Sequence, residues 1–126
     1  MPRSVVVDPH APEPVGPYAH AAFRADGALF LSGQTPIDPS SGALVGGDVA
    51  TQTQQVFANL RSVLAAAGRS LNDVVKVNVY LVDMADFAAM NGVYATVFDP
   101  PYPARTTVAV AGLPLGARVE IELIAD

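Results

Sequence analysis

Two charged side chains near the carboxyl end of the chain have the chemistry expected of a small-molecule site. Arg105 follows the proline-rich residues 100–103 and precedes an apolar stretch. The rigid proline backbone lowers the entropic cost of holding a guanidinium, which binds a carboxylate through two parallel hydrogen bonds. Glu120 lies between Val119 and Ile121, and a carboxylate in such a place can activate a water molecule as a general base.

Both residues also have structural interpretations. Arg105 could be a surface arginine at a strand end, which from spacing alone is the more frequent case. Glu120 could be an edge-strand charge that prevents aggregation. Glu122 lies two residues further on and shares the side-chain direction of Glu120, so one of the two glutamates could be purely structural.

Three other polar residues are weaker candidates. The hydroxyl of Tyr18, in the sequence Gly-Pro-Tyr, could donate to a ligand, or its ring could cover the core. Asn91 could orient a ligand carbonyl or be a solvated helix position. We expect His20 to be a surface or strand residue and not a base, because no carboxylate is placed to orient it.

The sequence excludes several other kinds of site. There is no cysteine, which excludes disulfides and thiol catalysis, and the two histidines, His10 and His20, are too few for a metal cluster. The glycines lack the spacing of a phosphate loop. Ser32 lacks the glycine on both sides that a nucleophile elbow requires.

The charge balance argues against two classes of partner. The chain has 12 acidic and 7 basic residues, with a formal net charge of −5, and the basic residues form no run. Binding to nucleic acid is therefore weakly supported. No apolar run approaches the ~20 residues needed to cross a bilayer, and the first residues do not resemble a secretory leader, so we expect a cytoplasmic protein without membrane contact.

The elements that must position these residues can be read from the apolar pattern. The 126 residues fit a single domain. Strands are predicted at residues 5–7, 19–24 and 29–32, with Asp26-Gly27 as a hairpin turn. Four prolines make residues 8–17 a loop, and residues 33–47 are rich in turn signals.

The second half alternates helices and strands. A helix is predicted from the N-cap Asp48 to the stop Gly68, and a second one after Asp83 or Asp86 that ends at Phe98. Between them, residues 74–82 form a strand with Val75, Val77, Val79 and Leu81 on one face. Strands at 105–110 and 118–125 follow. The economical architecture is an α+β fold with a single mixed sheet and two helices on one face.

The other sheet face is partly polar and is either exposed to solvent or packed against other subunits. It would carry Lys76, Asn78, Tyr80 and Val82 from the central strand, and Arg118, Glu120 and Glu122 from the last strand. A sheet face that its own helices leave uncovered is a candidate for oligomerisation.

A hairpin about residues 112–116 would place Arg105 opposite Leu123 and Thr107 opposite Ile121. Glu120 would then point to the other face. Arg105 and Glu120 would meet only through a register shift, a bulge or a neighbouring subunit.

Several segments of the sequence resemble the RidA (YjgF-type) reactive-intermediate deaminase family, and the match runs over nearly the whole chain. Residues 103–108 (PARTTV), 113–114 (LP) and 119–122 (VEIE) resemble its carboxyl-terminal signature. Residues 16–18 (GPY) and 31–36 (LSGQTP) resemble its amino-terminal loop and following strand. The helix around residues 52–68 and the spacing of Asn91 and Tyr94 fit as well.

The resemblance implies a chorismate-mutase-like homotrimer with clefts between subunits. It implies hydrolysis of 2-aminoacrylate and related enamines or imines to 2-keto acids and ammonia, the activity of a 2-iminobutanoate/2-iminopropanoate deaminase, without metal or cofactor. By the same analogy Arg105 binds the substrate carboxylate and Glu120 positions or activates water. The remaining pocket residues would be Tyr18, Ser32, Gly33, Asn91 and Thr107.

Two departures from the family pattern bear on substrate choice. The stretch from Tyr94 to Arg105 is a few residues shorter than in typical deaminases, and Thr107 stands where some members carry cysteine. Three alternatives therefore stay open beside the deaminase: a trimeric module that binds a 2-keto acid without turnover, a deaminase of a larger imine, and an endoribonuclease. The acidic balance disfavours the last of these.

Overall fold

The computed structural model describes residues 3–126, in which one mixed sheet packs against two helices. The strands are β1 Ser4–Val6, β2 Ala21–Phe23, β3 Leu29–Leu31, β4 Val74–Leu81, β5 Ala104–Ala109 and β6 Val119–Ala125. Within the described residues the sheet order is β1-β2-β3-β6-β4-β5. β5 runs parallel to β4, and the other neighbouring pairs are antiparallel. The predicted α+β fold is confirmed.

Capping residues and a glycine mark the ends of the two helices. α1 (Val49–Ala66) starts after Asp48, whose Oδ1 accepts a 2.9 Å hydrogen bond from the Thr51 amide. It ends just before Gly68, which has a φ of +72° that favours glycine. α2 spans Phe87–Val97. Asp83 caps the 3₁₀ turn Met84–Asp86 that leads into α2.

Asp86 and Arg118 have different roles from those that the sequence predicted. Asp86 precedes α2 but makes no side-chain cap hydrogen bond. Its carboxylate instead binds the Arg118 guanidinium at 2.8 and 3.0 Å. Arg118 lies just before β6, which starts at Val119, and its side chain contacts the residue that precedes α2 through this ion pair.

The core lies between the helices and one face of the sheet. Phe57 of α1 meets Tyr94 and Phe98 edge-on, with ring centroids 6.0 and 5.8 Å apart. The central strands contribute fully buried residues: Val77, Val79, Leu81, Val119 and Ile121. Val75 was expected among them but is 50% exposed. A bulge between Val74 and Lys76 breaks the alternation of β4 at this point and turns Val75 outward.

The predicted pairing of the last two strands is wrong. β4 lies between β5 and β6, so the two strands are not hydrogen-bonded to each other. Arg105 and Leu123 both pair with Val77, from opposite sides of β4. Cross-strand partners share a face of the sheet. The prediction that Arg105 and Glu120 point to opposite faces is therefore confirmed, although the predicted pairing is wrong.

We call the sheet face against α1 and α2 the helix face. The other is the open face, which carries Phe30, Asn78, Tyr80, Glu120 and Glu122. In the part of the chain that the structure describes, no helix combines the length and apolar character required for a membrane span.

Candidate functional site

Arg105 lies on the helix face of the edge strand β5. Its Nη1 donates a 2.6 Å hydrogen bond to Oδ1 of Asn91 on α2. Its guanidinium lies 4.5 Å from the ring centroid of Tyr94 and 5.6 Å from that of Phe87. The side chain is half-buried and held on two sides, which rules out the interpretation as a free surface arginine.

The positive charge of Arg105 has no counter-charge within residues 3–126. Among residues 3–126, no carboxylate lies within 4.0 Å of its guanidinium. Asn91 is a neutral acceptor and uses one of the five N–H donors. A half-buried guanidinium with free donors is suited to an external anion, and a carboxylate matches its planar geometry.

A cavity opens beside this guanidinium. It has a volume of about 340 Å³ and is lined by Asn91, Tyr94, Ala95, Tyr102, Pro103 and Arg105. In the described chain, the hydroxyls of Tyr94 and Thr107 are buried and have no hydrogen-bond partner. Thr107 lies two residues after Arg105 on the same face of β5. Buried hydroxyls without partners are uncommon in folded proteins. Tyr94 also contacts the Arg105 guanidinium, through its ring.

Glu120 lies on the open face of the central strand β6. Tyr80 of β4 is its cross-strand partner. Because β6 is flanked by β3 and β4, the interpretation of Glu120 as an edge-strand charge is wrong. Burial, and secondly the charge of Glu122, raise the pKa of Glu120 above its ordinary value.

The Glu120 carboxylate occupies space that a side chain at residue 33 would fill. A Cβ built on Gly33 would lie 2.5 Å from Oε2 of Glu120, and 3.0 Å from its carboxyl carbon. Glycine is therefore needed here for close approach of the carboxylate, without any special backbone angle.

Ser32 and Tyr18 lie on the same side of the sheet as Glu120. They line a second concavity of about 390 Å³ together with Phe30. The Ser32 hydroxyl donates a 2.6 Å hydrogen bond to the Ala19 carbonyl. The Tyr18 hydroxyl accepts one from the Val15 amide at 3.3 Å. Tyr18 is 44% exposed, so the interpretation that its ring covers the core is wrong.

The seven candidate residues therefore form two groups. We call the first the Arg105 group, which consists of Arg105, Asn91 and Thr107. We call the second the Glu120 group, which consists of Glu120, Gly33, Ser32 and Tyr18. The first group lies on the helix face of the edge strand, and the second lies on the open face. Within one chain the structure does not bring them together.

His20 is a structural residue. It is buried, which contradicts a surface position. Its Nδ1 accepts a 3.0 Å hydrogen bond from the Asp8 amide, and its Nε2 lies 2.8 Å from the Pro12 carbonyl oxygen. With both ring nitrogens engaged, His20 fixes the proline-rich loop and has no free lone pair for catalysis. Over residues 3–126, His, Asp and Glu side chains form no cluster of three that could hold a metal ion.

The sequence interpretation missed the aromatic residues around Arg105 and the hydrogen bonds around Glu122. Tyr94 entered only through its spacing from Asn91 in the family resemblance and was not expected to contact Arg105, although it lies three residues after Asn91 and on the same helix side. Tyr102 was not considered, because nothing local shows that a loop residue lines a cavity. Asn78 Nδ2 donates a 3.1 Å hydrogen bond to Oε1 of Glu122, and the Tyr80 hydroxyl donates to the same oxygen.

Comparisons with known proteins agree over almost the full length of the chain. A family model described as endoribonuclease L-PSP matches residues 8–126. A RutC family protein of Pyrococcus horikoshii is 51% identical over 123 residues, which cover 98% of this chain and 97% of the relative. The 2-iminobutanoate/2-iminopropanoate deaminase of Mus musculus is 46% identical, with 98% of this chain and 90% of the mouse protein covered.

A solved structure gives the same result for the fold. The crystal structure of RidA from an Antarctic Psychrobacter superposes with a TM-score of 0.92. The two sequences are 44% identical, and the superposition covers 98% of each chain. The similarity therefore extends to the complete sheet and both helices.

Proposed function

The chain belongs to the RidA/YjgF family, and from this premise we propose that it hydrolyses 2-aminoacrylate-type enamines and imines to 2-keto acids and ammonia. Relatives named 2-iminobutanoate/2-iminopropanoate deaminase, from mouse, the mite Dermatophagoides farinae and cattle, are 46%, 42% and 43% identical. The observation that carries the proposal is the unpaired guanidinium of Arg105 beside a cavity.

Arg105 would anchor the substrate carboxylate. Its guanidinium is already oriented by Asn91 and by the face of Tyr94, so little side-chain entropy is lost when the anion binds. The anchored carboxylate fixes the adjacent C2 atom, which is the electrophilic carbon of the imine.

Glu120 would handle the proton of the attacking water. The enamine first takes a proton at C3 and becomes the iminium. Glu120 accepts a proton from water as the oxygen bonds to C2 and the C2–N π electrons move to nitrogen, giving a neutral carbinolamine. That proton then passes to nitrogen, and the C2–N bond breaks and releases ammonia while the hydroxyl gives its proton to Glu120 and the C2–oxygen double bond forms. Release of this proton to water balances the proton taken up at C3. One water is consumed, one ammonia is released, and no redox partner is needed.

The two groups would complete one site in an assembly of copies. The open face exposes Val5, Phe30 and Val108, which are 47%, 39% and 42% accessible, and such apolar surface favours association. β5 has an unpaired outer edge among the described strands. We propose a homotrimer whose clefts combine the Arg105 group of one copy with the Glu120 group of the next. A cytoplasmic location is part of the same proposal and can be checked by cell fractionation.

A larger imine is the second candidate substrate. The cavity beside Arg105 has a volume of about 340 Å³ and includes Tyr102, which is 58% exposed. This space would admit a substrate side chain longer than the methyl group of 2-iminopropanoate. A panel of imines with increasing side-chain size distinguishes the two candidates.

The test measures ammonia and keto-acid release from 2-aminoacrylate or 2-iminobutanoate generated in situ. Wild type should exceed the spontaneous rate, and Arg105→Ala should lose about 100- to 1,000-fold in kcat/KM, since it removes a charge-assisted bidentate contact. Arg61→Ala, an exposed arginine on α1, is the matched control and should keep wild-type activity. No acceleration by a folded wild type with any imine of the panel would contradict the proposal and favour a binding module.

A further inference from the structure

Glu122 occupies an unusual place on the open face. It lies two residues after Glu120 on β6, so the two side chains point the same way. Among residues 3–126, no lysine, arginine or histidine lies within 4.0 Å of either carboxylate. Two neighbouring carboxylates without a cation repel each other, and the charge of Glu122 makes proton release from Glu120 less favourable.

The neighbours of Glu122 hold its carboxylate in one orientation. Asn78 Nδ2 and the Tyr80 hydroxyl, both on β4, donate to the same oxygen, Oε1. The hydrogen bond to Glu122, followed by burial, raises the pKa of Tyr80 to about 12. Tyr80 therefore stays a protonated donor throughout the neutral range. The tyrosine is at the same time the cross-strand partner of Glu120.

The groups that face Glu120 are few. They are Glu122 on its own strand, Tyr80 on β4, and the backbone of Gly33 on the other side. Lys76 is also on β4, but its ammonium donates to the Thr106 hydroxyl at 2.8 Å. Within the described residues, Glu122 is thus the charge that lies next to Glu120. Burial is the larger cause of the raised pKa of Glu120, and the charge of Glu122 is the second.

We propose that Glu122, oriented by Tyr80 and Asn78, is a positioning residue whose negative charge makes the Glu120 carboxylate a stronger proton acceptor. The inference rests on the proposed function, in which Glu120 takes a proton from water. The two glutamates then have different roles. Glu120 exchanges protons, and the electric field of Glu122 favours proton uptake by Glu120.

An equilibrium experiment tests the field without using the reaction. The chain has three glutamates, Glu13, Glu120 and Glu122, so selective carbon-13 labelling of glutamate carboxyls gives three resonances. In Glu122→Gln, the titration midpoint of Glu120 should fall by about half to one pH unit, because one charge about 7 Å away is removed. The midpoint of the exposed Glu13 should not move.

The pH dependence of kcat/KM tests the role in catalysis. The acid limb of the profile should shift to lower pH by the same half to one unit in Glu122→Gln, because Glu120 must be ionised to accept a proton. Tyr80→Phe should shift the limb in the same direction but less, since Asn78 alone then holds Glu122; it also serves if Glu122→Gln folds poorly. Glu13→Gln is the matched control for the substitution itself.

The outcomes separate this inference from the proposed function. Unchanged Glu120 midpoint and acid limb in Glu122→Gln, with activity still lost in Glu120→Gln, would overturn the inference and leave the deaminase proposal standing. A midpoint shift without a shift of the acid limb would overturn the catalytic role of the field. Full activity in Glu120→Gln would contradict the proposed role of Glu120, whatever the spectra show.

Discussion

The Arg105 group and the Glu120 group are built in opposite ways. Arg105 comes from the edge strand β5 and is oriented by side chains of α2, namely Asn91 and Tyr94. Glu120 comes from the central strand β6 and lies on the open face, opposite the two helices of the described residues. The anion-binding half is therefore oriented within one chain, whereas the proton-transfer half faces outward and requires a second surface to enclose it. The following predictions test this difference.

Gly33→Ala should affect the Glu120 group alone. The new Cβ would lie 2.5 Å from Oε2 of Glu120, so the flexible carboxylate must turn away. We expect kcat to fall about 10- to 100-fold with little change in KM, because Arg105 still binds the substrate. Steady-state kinetics and a melting curve measure this. Gly46→Ala, where a Cβ meets nothing within 4 Å, should behave as wild type. A rise of KM at unchanged kcat would place Gly33 with substrate binding.

Asn91→Ala should affect the Arg105 group alone. It removes the acceptor that orients Nη1 of Arg105, and we expect KM to rise about 10-fold while kcat changes less. Titration with a stable 2-keto acid measures the same loss of binding affinity, expressed as a dissociation constant. Gln54→Ala, an exposed polar position on α1, controls for loss of an amide from a helix. If Asn91→Ala lowered kcat by as large a factor as it raised KM, the two groups would not be independent.

Glu120→Gln should stabilise the folded protein at neutral pH. Burial and the charge of Glu122 raise the pKa of Glu120 in the folded state. Ionisation is therefore less favourable there than in the unfolded chain, and Glu120 lowers stability as pH rises through these pKa values. The variant should melt at a higher temperature than wild type at pH 7 and close to wild type at pH 4. A lower melting temperature at pH 7 would show that the ionised carboxylate is needed for folding or assembly.

The ends of α1 and the turn between β2 and β3 could be predicted, because each is determined by residues that are adjacent in the sequence. Asp48 and Gly68 delimit α1 through a cap and a left-handed stop. Asp26-Gly27 closes the hairpin of β2 and β3, with Gly27 at a φ of +98°. Each depends on a few adjacent residues, so the sequence is sufficient.

The sheet order could not be predicted, because it is decided by tertiary packing. Residues 112–116 have the composition of a hairpin turn, yet β4 inserts between the two strands that they connect. The opposite facing of Arg105 and Glu120 was still predicted correctly. Thr107 and Ile121, which were expected to pair, both pair with Val79 instead, so the inserted strand preserves which residues share a face.

Residue types and spacing indicated Arg105, Glu120, Tyr18 and Asn91, and the family resemblance added Ser32, Gly33 and Thr107. The contacts of these residues were not predicted. Neither the stacking of Arg105 on Tyr94 nor the hydrogen bonds from Asn78 and Tyr80 to Glu122 follow from spacing along the chain. Both join elements whose relative placement depends on the complete sheet. The sequence therefore identified residues of both groups. It also predicted that Arg105 and Glu120 lie on opposite faces, but from a strand pairing that was wrong.

The most direct test of the account mixes two inactive variants. Arg105→Ala and Glu120→Gln subunits are each purified, unfolded together in equal amounts and refolded, so that copies exchange. If each cleft takes Arg105 from one copy and Glu120 from the next, about one quarter of the clefts in random trimers are intact, and activity should return to about that fraction of wild type. Mixing without subunit exchange is the control and should stay inactive. No recovery, in mixed oligomers confirmed by mass spectrometry, would contradict a site shared between copies.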